Sequence, residues 1–88
     1  MSTKPNTITG LQCRMARAGL RWSVRDLAEK AQTAVSTINR FEVGRATPHP
    51  RTLAAVREVM EEAGARFDGS ATVTVIEPPA SAGIEGGQ

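Results

Sequence analysis

Few side chains in this sequence could perform covalent or metal chemistry, and they are too few to do it together. Cys13 is the one cysteine and His49 the one histidine in 88 residues. A structural zinc site takes three or four Cys/His ligands, so no metal is expected, and no other cofactor. Any Cys-His or Ser-His-Asp scheme would run through His49, which stands between Pro48 and Pro50 in a loop-like stretch. No glycine loop of the phosphate-cradling kind is present either. An enzyme is therefore the least expected reading. What remains is binding by charge. Residues 1–57 carry ten Lys/Arg against three Asp/Glu, a net of +7, whereas residues 58–88 carry one against six, a net of −5. A basic block of this kind is a plausible footprint for a polyanion, most simply nucleic acid. On charge alone, arginines that merely keep the surface solvated fit equally well.

Local signals divide the chain into elements that would position those cations. Residues 1–7 are polar and read as a disordered lead. Thr9-Gly10-Leu11-Gln12 is a capping box flanked by Ile8 and Cys13 at the staple positions, which starts a helix over about 10–19. Its core face is expected to hold Cys13, Ala16 and Leu20, leaving Leu11 and Met15 partly exposed. Ser23-Val24-Arg25-Asp26 repeats the start signal, with Trp22 and Leu27 as the staple, for a short helix over about 24–31. A third helix opens at Thr33 or Ala34 and ends near Val43-Gly44. On its wheel Ile38 and Phe41 point one way, and Ser36, Asn39, Arg40 and Val43 the other. Pro50 to Ala63 reads as a fourth helix stopped by Gly64, with Leu53, Val56, Met60 and Ala63 inward. Residues 71–76 then alternate as a strand, and residues 65–70 could supply the other arm of a hairpin. Residues 78–88, rich in Pro, Gly and Ala, read as a disordered tail. No apolar run approaches the ~18–20 residues of a membrane span, and the N-terminus lacks a secretory pattern. With a single cysteine this fits a reducing compartment, so a cytoplasmic location is expected.

The spacing of Leu27-Ala28, Ala31, Ile38 and Phe41 matches the apolar skeleton of a helix-turn-helix, in which small residues let two helices cross closely. The stretches Ile8 to Arg17, Trp22 to Ala28, Ser36 to Glu42 and Gly44 to Pro48 together resemble Cro/repressor-type (XRE-like) helix-turn-helix domains. The likeness covers residues 8–64, about two-thirds of the chain. It implies an all-α, λ-repressor-like bundle of four to five short helices, here followed by a C-terminal β strand or hairpin over 65–77. It also implies duplex DNA as partner and a dimer on a two-fold-related operator.

Carried over by position, Val35, Ser36, Asn39 and Arg40 match the family's base-reading positions. A guanidinium such as that of Arg40 can grip guanine O6 and N7, an amide such as that of Asn39 can pair with adenine, and Val35 could touch a thymine methyl. Ser23, Arg25, Arg45 and Arg51 are the expected phosphate contacts, setting register and salt dependence. Arg17 and Glu42 match a supporting ion pair, while Leu27, Ala28, Ile38 and Phe41 hold the motif together. The chain departs from the pattern at three positions: Gln32 where the turn usually has glycine, Val24 where the second helix usually has glutamine, and Ala34 where the reading helix usually has Ser/Thr. In the last case Thr33 is the substitute cap.

The expected function is a small DNA-binding transcriptional regulator, a repressor, dimeric through residues 65–76, with no small-molecule effector evident. The chief alternative is an antitoxin-like or anti-regulator module that binds a protein partner, favoured by the acidic C-terminal third and by Leu11 and Met15. RNA binding is disfavoured because the outward face of the third helix has no stacking aromatics.

Overall fold

The computed structural model describes residues 8–69 and 72–75. The lead at 1–7, the tail at 78–88 and the hairpin positions 70–71 and 76–77 lie outside them. Four helices are followed by two strands: α1 (Gly10–Leu20), α2 (Val24–Ala31), α3 (Val35–Glu42), α4 (Pro50–Glu62), β1 (Ala65–Asp68) and β2 (Thr72–Val75). The strands pair antiparallel, Ala65 opposite Val75 and Asp68 opposite Thr72.

Each boundary has a local cause. Thr9 and Gln12 form the reciprocal capping box of α1, and Ser23 and Asp26 that of α2. Both helices then close in the same way, on a residue in the left-handed region that is not glycine. Arg21 (φ 64°) donates its N–H to Ala18 while Trp22 donates to Arg17. Gln32 (φ 57°) donates to Glu29 while Thr33 donates to Ala28. The turn that usually takes glycine thus keeps its left-handed geometry with glutamine, at a cost of roughly 1 kcal/mol. His49 caps α4, its Nδ1 accepting the N–H of Arg51 at 3.0 Å, and Pro50 fills the first helical position, where a missing N–H costs nothing.

The core is one cluster shared by every element except β2. Cys13 and Ala16 from α1, Leu27, Ala28 and Ala31 from α2, Ile38 and Phe41 from α3, Leu53, Val56 and Met60 from α4, and Ala65 from β1 are all buried, with Ile8 closing one end. The α1 face largely follows the staple: Cys13 and Ala16 are buried, Leu20 is half-buried against the core, and Leu11 and Met15 are exposed. Trp22 and Phe67 sit half-buried at its margin. Each carries a cation over its ring, Lys30 at 5.0 Å and Arg57 at 5.5 Å, where the negative face of the ring attracts it.

Gln12 does more than its capping role foretold. Only 1% exposed, it accepts the Thr9 N–H through Oε1 and donates through Nε2 to the carbonyls of Gly69 (2.9 Å) and Thr72 (3.3 Å). One amide therefore satisfies the start of α1 and fastens the hairpin to it. Replacing Gln12 by Glu keeps the acceptor but turns a carboxylate toward two carbonyl oxygens. Gln12→Glu should lose ~1–3 kcal/mol at neutral pH, the cost of unsatisfied buried polar groups. Urea unfolding measures this, and the deficit should shrink in acid as the carboxyl regains a proton.

Candidate nucleic-acid interface

α3 is eight residues long, and Ala34 at its start contributes no side-chain cap. Thr33 does not replace it: the chain enters the helix at Ala34 itself, whose carbonyl accepts from Thr37 and Ile38. A helix this short and uncapped is not stable alone. Its place is imposed from two sides. Ile38 and Phe41 are buried against the small face of α2, made by Ala28 and Ala31. At its far end the Glu42 carboxylate is gripped by Arg17 of α1 in a two-point fork, Nε to Oε2 and Nη2 to Oε1, both at 2.9 Å. The third arm of the same guanidinium, Nη1, donates to the Trp22 carbonyl at 3.0 Å, just before α2. One side chain therefore sets α1, the α2 entry and the α3 exit relative to one another.

The seam between α1 and α3 is tight elsewhere too. The Cys13 thiol donates to Glu42 Oε2 at 3.4 Å. A Cβ on Gly10 would collide with the Phe41 carbonyl oxygen, so only glycine permits this approach. Burial, reinforced by the neighbouring carboxylate, pushes the Cys13 thiol far above its ordinary range. The hydrogen bond to Glu42 holds the Arg17 guanidinium still more firmly in its charged form.

With α3 fixed in this way, its other face looks outward. Val35, Ser36, Asn39 and Arg40 are all exposed, and among the described residues the side chains of Ser36, Asn39 and Arg40 make no hydrogen bond or ion pair. Val43, also exposed, follows on the same side. Arg45 is drawn back against the end of the helix, its N–H donating to the Arg40 carbonyl at 2.8 Å, which leaves two cations close along the chain where α3 ends. Arg51 extends from the first turn of α4 and Arg25 from that of α2, both exposed.

Ser23 is more constrained than its spacing suggested. Its N–H donates to Asp26 Oδ2 (2.8 Å) and its Oγ accepts the Asp26 N–H (3.0 Å), so the hydroxyl proton is what it has left to offer. Those bonds also hold the exposed Asp26 carboxyl below its usual range. A phosphate at the start of α2 would meet that fixed negative charge, and Val24, half-buried against the core, adds no polar group.

A family model described as helix-turn-helix matches residues 14–62, more than half of the chain and the whole span from within α1 to the end of α4. The chain belongs to the Cro/repressor-type helix-turn-helix family. It is thus a DNA-binding regulator of the XRE type, in a family that is generally non-enzymatic. Among curated proteins nothing matches. The hairpin lies outside the matched span. No described helix is long and apolar enough to cross a membrane, and no group of three His, Cys, Asp or Glu among the described residues could hold a metal ion.

Two outcomes are expected of the seam. Arg17→Met or Glu42→Gln alone should cost ~3–5 kcal/mol, whereas the double variant should cost less than the sum, since neither charge is then left buried alone. A double-mutant cycle in urea checks this. The Cys13 thiol should resist iodoacetamide in the native protein at pH 8 and react once unfolded. Because its folded pKa is raised, it contributes stability that is full below the thiol's ordinary 9.0 and is lost as pH rises above it. Cys13→Ala should therefore be relatively less damaging at pH 10 than at pH 7.

Proposed function

We propose that the chain is a repressor that reads the major groove of duplex DNA with α3, as a dimer on a two-fold-related operator. The observation that carries this reading is the outward face of α3. It is polar and cationic, free of internal partners, and held rigidly from behind by the Arg17–Glu42 fork. Arg40 is assigned to guanine, Asn39 to adenine and Val35 to a thymine methyl, with Ser36 beside them. Arg45, Arg51 and Arg25 take phosphates, and Ser23 one more through its remaining hydroxyl proton. Dimerisation is assigned to the hairpin segment 65–76, and the protein is placed on the nucleoid. The outer face of the hairpin carries Arg66, Asp68, Thr72 and Thr74, a polar set that favours pairing through a strand edge over packing face to face. A second reading, a protein-binding module, draws support from Leu11 and Met15, which stand 53% and 37% exposed.

Genomic footprinting of the tagged wild type beside an Asn39→Ala, Arg40→Ala variant tests the first reading. Discrete palindromic peaks that vanish in a folded variant support it, and peaks indifferent to the substitutions overturn it. In solution, Arg40→Ala should relax discrimination at one base pair by ~1–3 kcal/mol. Arg45→Ala should instead weaken all duplexes alike and reduce the salt slope by about 1.

A further inference from the structure

The Gln12 amide is held by hydrogen bonds at both of its polar atoms. Oε1 accepts the Thr9 N–H at 3.0 Å, and Nε2 donates to the carbonyls of Gly69 and Thr72, on either side of residues 70–71. At 1% exposure it has no water to exchange for these partners. The hairpin lies outside the span that the helix-turn-helix model matches, yet here it is fastened to the first turn of α1. The neighbours of Gln12 on that turn face the other way. Gly10 lies against the last turn of α3, where an added Cβ would meet the Phe41 carbonyl and stand 3.2 Å from Glu42 Cα. Cys13 donates to Glu42 Oε2 at 3.4 Å. One turn of α1 is therefore clamped between the hairpin and α3.

On the α3 side the clamp is backbone against backbone. Where side chains meet, rotamers absorb a small displacement. Where one helix backbone rests on the carbonyl of another, the displacement is passed on, because a packed interior is scarcely compressible. Phe41 and Glu42 directly follow Arg40 in the chain, so a shift of the first turn of α1 reaches the end of α3 that carries this guanidinium.

We infer that Gln12 is a positioning residue for base reading: through it the hairpin sets the pose of the last turn of α3, and with it Arg40. Buried as it is, Gln12 cannot itself touch DNA. The inference rests on the proposed reading of α3 and gives the hairpin a part in that reading. The hairpin also holds α1 at its other end, where an added Cβ on Gly19 would sit 2.6 Å from Val75 Cγ2. With two fastenings the hairpin cannot pivot about either one.

Gln12→Met keeps an unbranched side chain of similar length and removes the amide's hydrogen bonds. The full chain is titrated against the duplex recovered by footprinting, and against that duplex changed at the base pair that Arg40→Ala identifies. Gln12→Met should lower this discrimination about three-fold or more. Affinity for an unrelated duplex should stay as in the wild type, because the cations assigned to phosphates are untouched. Val56→Ala, which weakens the α4 part of the core, should cost stability and leave discrimination unchanged, with circular-dichroism melting giving the folded fraction of each chain. Iodoacetamide reads the seam without DNA: relative to the unfolded fraction, Cys13 should be alkylated faster in Gln12→Met than in Val56→Ala. A folded Gln12→Met chain that discriminates as the wild type does overturns the inference, and so does equal loss of discrimination in Val56→Ala. Should Gln12→Met not fold, Gly19→Ala applies the test from the other end, since it displaces Val75 and leaves the first turn of α1 intact. It should also lower discrimination, and wild-type discrimination in that chain overturns the inference. If Arg40→Ala itself discriminates as the wild type does, the reading of α3 has failed, and this inference falls with it.

Discussion

The Arg17–Glu42 fork is the constraint on which the rest of the arrangement depends. A helix that reads DNA, as α3 is proposed to do, must present a few side chains at fixed height and angle, and α3 has neither the length nor the cap to do so unaided. Apolar contact through Ile38 and Phe41 holds it down but fixes rotation about that contact poorly, because dispersion is not directional. A bidentate guanidinium–carboxylate pair is directional, and this one is anchored at both ends. The Trp22 carbonyl aims Arg17, and the Cys13 thiol takes up further acceptor capacity on Glu42. Glu42 keeps only 6% of its side chain exposed, so the carboxylate has few alternatives to this pose.

The same economy of length explains the two strained turns. Only a few residues join α1 to α2 and α2 to α3, and at each junction the chain must reverse direction at once. Closing each helix on a left-handed residue achieves this, because it folds the chain back onto the last turn and satisfies carbonyls that would otherwise be orphaned. Glycine would do so without strain. Arg21 and Gln32 do so at a small cost, which the buried faces on either side, Ala16 with Leu27 and Ala31 with Ile38, over-determine. Neither side chain is needed for the turn, so both project into solvent from the backbone that frames α2.

Much of this was legible in the residues because the signals were local. Thr9, Ser23 and Gly64 marked helix ends by chemistry that acts within one turn, and the wheel of α3 separated Ile38 and Phe41 from Ser36, Asn39 and Arg40. The ion pair was legible only through resemblance, since nothing in the spacing of Arg17 and Glu42 says they meet. What escaped were jobs done across the chain. Gln12 announced itself as a cap, and no local rule tells a capping glutamine that its other end will fasten a hairpin some sixty residues on. Gly10 looked like an ordinary member of a first turn, because the reason for its missing side chain belongs to Phe41. Cys13 read correctly as core, but its partner lies on another helix. The cap of α3 was misplaced for the opposite reason. Thr33 had the right chemistry, but the left-handed turn at Gln32 spends Thr33 on closing α2.

The acidic C-terminal third of the chain gains a meaning from where it falls. Glu58, Glu61 and Glu62 lie in the last turns of α4, with Asp68 just beyond on β1, and the last turn of α4 holds no cation. Carboxylates are disfavoured at a helix C-terminus, by roughly 0.3–1 kcal/mol each in typical exposed cases, so stability does not account for them. Arg57 offsets part of this by pairing with Glu61 at 2.8 Å while covering Phe67. A polyanion gives such an arrangement a direction. On the proposed reading, the α3 side, with Arg40 and Arg45, would be drawn to it and the acidic end of α4 repelled, so that encounters in the wrong orientation are discouraged before any base is touched.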